Sequence, residues 1–172
     1  MIVRSRIFQF STNSFPIRFA LAPPSKLHCR QYITSSKMFP IARAKSLDHL
    51  VLTVKDLNAS VHFYERFLGM HHTIFESRGA QRNALSFGQQ KINLHISGKE
   101  FEPKAQNVHP GSSDLCFLVE DSVDDILERL KDEEVEVLEG AKIVNRTGAQ
   151  GRLRSLYIRD PDGNLIEVSN IA

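Results

Sequence analysis

Apolar and polar residues alternate in two short segments of the chain, residues 49–54 and 114–119. Successive side chains of a β-strand point to opposite faces, so each segment is predicted to form a strand with one fully apolar face. The apolar faces consist of Leu50, Leu52 and Val54 in the first segment and of Leu115, Phe117 and Val119 in the second. The residue that opens each strand is polar and lies on the opposite face: His49 in the first and Asp114 in the second.

A helix is predicted to follow each of these strands. The first spans about residues 57–68, and Gly69 follows where a C-terminal cap belongs. The second begins with Ser122 and Asp125 at capping-box spacing. The core-facing stripes of the two helices are Val61, Tyr64 and Leu68 in the first, and Val123, Ile126, Leu127 and Leu130 in the second.

Three short strands are predicted after each helix. Their ranges are about 71–76, 83–87 and 91–96 in the first half, and 135–138, 153–159 and 164–169 in the second. Tight turns at residues 88–90 and 160–163 join the last two strands of each set, and Pro161 and Gly163 suit the second turn. The chain is therefore predicted to repeat one unit, a strand, a helix and three strands, as two modules at about 46–98 and 112–170. Together they form a domain over residues 46–172.

Charge separates the first 45 residues from this domain. They carry a formal charge of +8 with no Asp or Glu, whereas the remainder of the 172-residue chain carries −6. An acidic domain argues against nucleic acid as a partner. No run of apolar residues is long enough for a membrane-spanning helix. Cys29 and Cys116 form no C-x-x-C pair, so neither a disulfide framework nor a cysteine zinc site is indicated.

The Arg-rich, Ser-containing leader over residues 1–45 is typical of a mitochondrial transit peptide. A disordered basic tail is the alternative interpretation, and Met38 offers an alternative start that would omit the leader. If the leader is not an import signal, the expected location is the cytoplasm.

Four residues capable of binding a metal recur in the repeated pattern. His49 and Asp114 open the first strands of the two modules, and our alignment of the last strands places His95 against Glu167. A curved sheet built from two such units would aim all four side chains into one cavity. Imidazole and carboxylate groups together suit Zn, Fe, Mn, Ni or Co, so one divalent metal ion is predicted as the cofactor. The other histidines (His28, His62, His71, His72 and His109) are not assigned a function.

The two repeated units, the opening segment 49–54 and the closing segment Asp160-Pro-Asp-Gly-Asn-Leu-Ile-Glu167 resemble the glyoxalase/bleomycin-resistance/dioxygenase, or vicinal oxygen chelate, superfamily over residues 46–170. The resemblance implies an α+β fold of two βαβββ modules. Their strands would form a curved, partly open mixed sheet with the helices on its convex side and the metal on its concave side. It also implies that Glu167 is a metal ligand that doubles as the catalytic base.

The sequence departs from the glyoxalase I pattern at two of these positions. That pattern has a carboxylate where His95 stands and a histidine where Asp114 stands, which argues against lactoylglutathione chemistry. The closing strands also resemble those of fosfomycin-resistance thiol transferases, in which the residue at the position of Tyr157 contacts substrate. Tyr157 is therefore a candidate substrate-binding residue, and packing within the sheet is the alternative explanation.

The resulting hypothesis is a metal-dependent lyase or isomerase that acts on a small oxygenated electrophile, such as a thiol adduct of an α-oxoaldehyde. The alternatives are an extradiol-type dioxygenase and a non-catalytic small-ligand binder of the bleomycin-resistance type. Two-module members of this superfamily commonly pair so that modules of different subunits complete each cavity. A homodimer is therefore expected.

Overall fold

The structure is a computed structural model that describes residues 39–172, so most of the predicted leader lies outside the described residues. The elements in chain order are β1 (His49–Val54), α1 (Leu57–Leu68), β2 (His71–Ser77), β3 (Ala80–Phe87), β4 (Gln90–Ile96), β5 (Asp114–Leu118), α2 (Val123–Asp132), a short helical turn α3 (Leu138–Ala141), β6 (Val144–Gly148), β7 (Gly151–Arg159) and β8 (Leu165–Ile171).

The strands form two four-stranded mixed sheets with the orders β1-β4-β3-β2 and β5-β8-β7-β6. In each sheet the first strand pairs in parallel with the last, and the remaining pairs are antiparallel. This repetition confirms the predicted α+β fold of two open modules. Strands β1 and β5 each lie at the edge of their own sheet, with one side that bonds no other described strand.

Helix α1 begins and ends where the sequence predicts, and α2 begins at its predicted cap. The Asp56 carboxylate caps the start of α1 by accepting hydrogen bonds from the backbone N–H groups of Asn58 and Ala59. Gly69 ends this helix in the left-handed conformation, with φ of 61°. The Ser122 side chain caps α2 by accepting a hydrogen bond from the backbone N–H of Asp124.

One predicted strand is wrong. Residues 135–138 do not form a strand, and the strand that pairs with β7 is Val144–Gly148. The alternating apolar residues Val135 and Val137, which suggested a strand at 135–138, have another role. The backbone N–H of Val135 bonds the carbonyl of Leu130 and closes the end of α2, and the Val137 side chain packs into the core. The true strand is a polar edge strand that carries little hydrophobic signal.

A single hydrophobic core joins both modules. It contains the predicted inward faces of β1 and β4 (Leu52, Val54, Ile92 and Leu94), those of β7 and β8 (Leu156, Ile158, Ile166 and Val168), and the helix residues Phe63, Tyr64, Val123, Leu127 and Leu130. Burying these side chains provides the main driving force for folding. None of the helices within residues 39–172 is both long and apolar enough to cross a membrane.

The turn between β7 and β8 fastens the second module to the first. The Tyr64 hydroxyl of α1 donates a hydrogen bond of 2.9 Å to Asp160 Oδ2, and both side chains are buried. The backbone N–H of Lys55 donates to Asp162 Oδ1 at 3.0 Å. Burial and the negative charge of Asp160 raise the pKa of Tyr64, so this phenol remains a neutral donor. The closing Asp-Pro-Asp-Gly segment is thus a structural clamp.

Candidate functional site

The first half of the candidate site is a cavity of about 300 Å³ on the face of the first sheet that lies opposite the core. Its lining side chains come from β1, from β2 to β4, and from the loop that follows β4. They include His49, Arg78, Arg82, Asn93, His95 and Phe101.

The His49 ring is held by a neighbouring carboxylate. Its Nδ1 lies 2.7 Å from Oδ1 of Asp48, and the His49 side chain is 47% exposed. A carboxylate on one ring nitrogen sets the tautomer and leaves Nε2 as the nitrogen with a free lone pair, as in many metal-ligating histidines. His49 is therefore presented in a form that can bind a cation.

The strand register corrects the alignment of the two modules. In the first sheet His49 pairs with Lys91, and in the second Asp114 pairs with Leu165. The position equivalent to Glu167 is consequently Asn93, and our alignment of His95 with Glu167 is wrong by two residues. A shift of two residues keeps a side chain on the same face, which is why the alternation pattern did not reveal the error.

The same register sets His49 and His95 apart. His95 pairs with Thr53, four residues along β1 from His49, which corresponds to roughly 13 Å along the sheet. A metal–imidazole bond is only about 2.1 Å long, so two histidines at this separation are poorly placed to share one ion. Asn93 lies two positions along, roughly 7 Å, and is the better neighbour for His49.

His95 has its own surroundings within the cavity. Its ring lies edge-on to Phe101, with 5.3 Å between the ring centres, and Phe101 also stacks against Arg82. Burial and the positive charge of Arg82 lower the pKa of His95, so its neutral form is favoured. A neutral imidazole in this position can accept or donate a proton.

The second half of the site lies on the corresponding face of the second sheet. Asp114 and Glu167 are separated by two positions in the register, the same arrangement as His49 and Asn93. The Ser169 hydroxyl donates to Glu167 Oε1 at 3.3 Å and lies 2.8 Å from the hydroxyl of Ser155. Burial raises the pKa of the neighbouring Cys116 thiol, and the negative charge of Glu167 adds to this effect, so the thiol is a poor nucleophile.

Tyr157 lies directly opposite Glu167 across β7 and β8. It is 8% exposed, and its hydroxyl accepts a hydrogen bond of 3.0 Å from Nε of Arg146. Burial raises the pKa of Tyr157 and the Arg146 hydrogen bond opposes this shift. Tyr157 thus keeps its proton and places a polar hydroxyl next to Glu167, in addition to packing in the sheet.

Within residues 39–172, the two halves do not line a common cavity. The cavity is lined by residues of the first module and of the loop that follows it, and none comes from the second module. Across residues 39–172, no three His, Cys, Asp or Glu side chains lie close enough to hold one metal ion. Within the described residues, His49 and His95 therefore line the cavity of the first module, whereas Asp114 and Glu167 lie on the second sheet.

Four residues of these half-sites were not found from the sequence: Asp48, Arg82, Asn93 and Arg146. Asp48 had a usable signal, since an acid directly before a candidate ligand is a common orienting partner. Arg82 and Arg146 required knowledge of which strands pair. Asn93 required the register of β1 against β4.

The model of the Glyoxalase/Bleomycin resistance protein/Dioxygenase superfamily matches residues 46–168, and the chain belongs to this family. The glyoxalase domain-containing protein RDO1 of Mycosarcoma maydis is 52% identical over 126 residues, which covers 73% of this chain and 68% of the relative. Virulence protein STM3117 of Salmonella typhimurium is 49% identical over 123 residues, which covers 72% of this chain and 82% of the relative.

Solved structures agree with the fold. A protein from the mobile metagenome of V. Pseudocholerae is 52% identical with a TM-score of 0.70, covering 77% of this chain and 98% of its own. Lactoylglutathione lyase from Agrobacterium tumefaciens is 23% identical, with a TM-score of 0.56 and coverage of 75% and 96%. The antibiotic-binding protein TnmS3 from Streptomyces is 19% identical, with a TM-score of 0.55 and coverage of 76% and 99%. The last two show the fold alone.

Proposed function

We propose that the protein is a metal-dependent lyase or isomerase that acts on a small oxygenated electrophile, such as a thiol adduct of an α-oxoaldehyde. The observation that carries this proposal is the equivalence of the two half-sites. Each edge strand opens with a ligand-type residue, His49 or Asp114, and each has a polar side chain two register positions along its partner strand, Asn93 or Glu167.

The donor types fit a divalent cation. His49 offers the Nε2 atom of a ring oriented by Asp48, and Asp114 and Glu167 offer carboxylate oxygens. One imidazole with two carboxylates suits Zn, Mn or Fe. In this proposal Asn93 lies beside these ligands as a hydrogen-bonding group, and His95 lies further along the cavity, where a substrate would extend.

When bound, such a cation polarises substrate oxygens as a Lewis acid. The chain itself supplies the proton transfer. Glu167 is the proposed base, and its carboxylate accepts a hydrogen bond from Ser169 and faces the protonated hydroxyl of Tyr157. Tyr157, fixed by Arg146, donates toward a developing negative charge on the substrate.

A homodimer is part of this proposal. Residues 39–172 of one chain supply two incomplete half-sites, so we propose that the first module of one subunit meets the second module of its partner. The edge strands β1 and β5 support this arrangement. Each leaves one side free, and they carry Val51 and Leu118, which are 48% and 49% exposed. Unpaired edges with apolar side chains favour association with another strand.

Equilibrium metal titration of the purified protein tests the proposal. His49→Ala and Glu167→Gln each remove a strong donor and should weaken affinity at least about tenfold, because loss of outer-shell partners alone typically costs that much. His62→Ala, on α1 outside both half-sites, is the control and should bind as the wild type does. Wild-type affinity in both ligand variants would contradict the metal site.

Two alternatives compete with this function. A non-catalytic binder is favoured by Asn93, because an amide at this position weakens the ligand set. Such a protein should contain no stoichiometric metal on elemental analysis after purification. An extradiol-type dioxygenase would use two histidines and one carboxylate. The register that separates His49 from His95 argues against it.

A further inference from the structure

The cavity of the first module contains a guanidinium that no described carboxylate neutralises. Arg82 projects from β3, and no carboxylate oxygen within residues 39–172 forms an ion pair with it or with Arg78 at the cavity rim. Glu102 is the one acidic residue of the lining, and it is exposed. The cavity is therefore locally positive within a domain whose overall charge is negative.

Two polar atoms of this lining are buried without a hydrogen-bond partner, Nε of Arg82 and Oδ1 of Asn93. Buried polar groups are nearly always satisfied, so such atoms call for a functional explanation. One is a donor that carries positive charge and the other is an acceptor. A molecule that satisfies both would present an anionic oxygen to Arg82 and an O–H or N–H group to Asn93.

The surroundings of Arg82 suit it to binding an anionic oxygen. The centre of its guanidinium lies 3.2 Å from the centre of the Phe101 ring, so the aromatic ring covers one face of the group. Stacking on the face fixes the guanidinium plane and leaves the N–H groups at its edge able to donate. A planar, oriented guanidinium is suited to bidentate binding of a carboxylate, a phosphate or a phosphonate.

We propose that Arg82 binds an anionic oxyacid group of the substrate while Asn93 accepts a hydrogen bond from a hydroxyl on the same molecule. The substrate class is then a small hydroxylated organic anion. This inference rests on the proposed function, because it takes the cavity as the place where substrate binds. The inference adds that the substrate carries a negative charge at the end nearer to Arg82. The proposed metal ligands alone do not specify the charge of the substrate.

The test uses three small probes: glycolate, its neutral amide glycolamide, and methylphosphonate. Each is titrated into the isotope-labelled full chain, before and after EDTA treatment, and chemical shifts are followed. Ligands of about five non-hydrogen atoms bind no more tightly than about the low-micromolar range, so each titration extends from micromolar to millimolar concentrations. We expect saturable binding of an anion in both metal states and much weaker binding of glycolamide. Tighter binding of methylphosphonate than of glycolate would identify the group as phosphonate-like, and the reverse as a carboxylate.

Arg82→Gln should weaken anion binding about tenfold or more, as expected for loss of a hydrogen bond to a charged group. The control is Arg129→Gln on α2, which lies outside the cavity and whose guanidinium pairs with Asp121 at the surface. If Arg82→Gln does not fold, Arg82→Lys replaces it, and the loss of the planar donor should still weaken binding. Asn93→Leu removes the acceptor for the glycolate hydroxyl, so this single variant should also weaken glycolate binding.

Several results would overturn the proposal: equal binding of glycolate and glycolamide, undiminished binding in Arg82→Gln or Arg82→Lys, equal weakening in Arg129→Gln, or no saturable binding of either anion. The EDTA-treated arm separates this proposal from the metal site. Anion binding that depends on Arg82 without metal supports this inference even if metal titration fails. Metal binding with no anion binding contradicts this inference alone.

Discussion

The Tyr64 hydroxyl donates a hydrogen bond to the buried Asp160 carboxylate, 96 residues further along the chain. The same carboxylate accepts hydrogen bonds from the backbone N–H groups of Asp162 and Asn164 and from the Asn164 side chain. The turn that closes the second module is thereby shaped by its own residues and fixed to a helix of the first.

Tyr64→Phe should lower the free energy of unfolding by about 1–3 kcal/mol, because it leaves a buried carboxylate without one of its donors. Urea unfolding measures this loss. Tyr157→Phe is the matched control, since its hydroxyl bonds the more exposed Arg146, and it should cost less. Equal stability of Tyr64→Phe and the wild type would show that the clamp contributes nothing.

His95→Ala should retain metal affinity close to that of the wild type, whereas His49→Ala should lose most of it. The reason is the four-residue separation of the two histidines in the β1–β4 register. Isothermal titration with a single divalent metal compares the variants. Equal losses at His49 and His95 would show that both histidines contribute to metal binding and would contradict this prediction.

If each metal site is shared between two subunits, mixing two different ligand variants should restore part of the metal binding. His49→Ala and Glu167→Gln chains, refolded together in equal amounts, should regain metal binding at about one quarter of all sites. Half of the dimers are then mixed, and each mixed dimer has one site with all its ligands. Bound metal is quantified after gel filtration. If each site lies within one chain, mixing would restore no metal binding. The metal bound by each variant refolded alone is the reference value.

The Arg154 guanidinium holds the pKa of Asp124 below its usual range through hydrogen bonds of 2.7 and 2.9 Å. A carboxyl whose pKa is lower in the folded state stabilises the protein above its unfolded pKa of about 3.9, and this stability is lost as the pH falls through the lower folded value. The urea midpoints of wild type and Arg154→Gln should therefore differ at neutral pH and converge in acid.

Arg159→Gln is the control for this pH dependence. Its guanidinium donates to the backbone carbonyl of Gly163, which does not titrate. Any effect of this substitution should change little between neutral and acid pH. The urea midpoints of the wild type and Arg154→Gln could instead differ as much in acid as at neutral pH. That result would show that the ion pair is not the cause of the difference.

Residues 1–45, fused to a fluorescent reporter, should direct it to mitochondria. This prediction rests on the eight basic residues of the leader and its lack of acidic ones. A fusion in which the arginines are replaced by glutamine should remain in the cytosol. Cytosolic signal from the unaltered leader would favour the basic-tail interpretation.

The sequence was informative where side-chain alternation decides the structure. The inward faces of β1 and β4 and the bounds of α1 followed from periodicities of two and 3.6 residues. Strand β6 was missed because an edge strand such as Val144–Gly148 needs no apolar face. Val135 and Val137 were misleading because loop residues that pack on the core can alternate with polar ones by chance.

The candidate site was predictable only in part. Alternation places His49, Asn93 and His95 on one face, but it is unchanged by a shift of two residues, so only strand pairing shows which side chain lies near His49. The alternation of side chains does not indicate which modules pack against each other. The separation of the two half-sites is a property of how whole modules pack, and this lies beyond any local pattern.

The clamp formed by the β7–β8 turn also limits how the two repeats can be divided. A fragment that ends at Ser97 would keep all four strands of the first sheet but would deprive Lys55 and Tyr64 of the carboxylates that accept their hydrogen bonds. The halves of this duplicated chain are therefore no longer interchangeable units. Any gene fusion or circular permutation that preserves the fold must keep residues 160–162 free to reach the first helix.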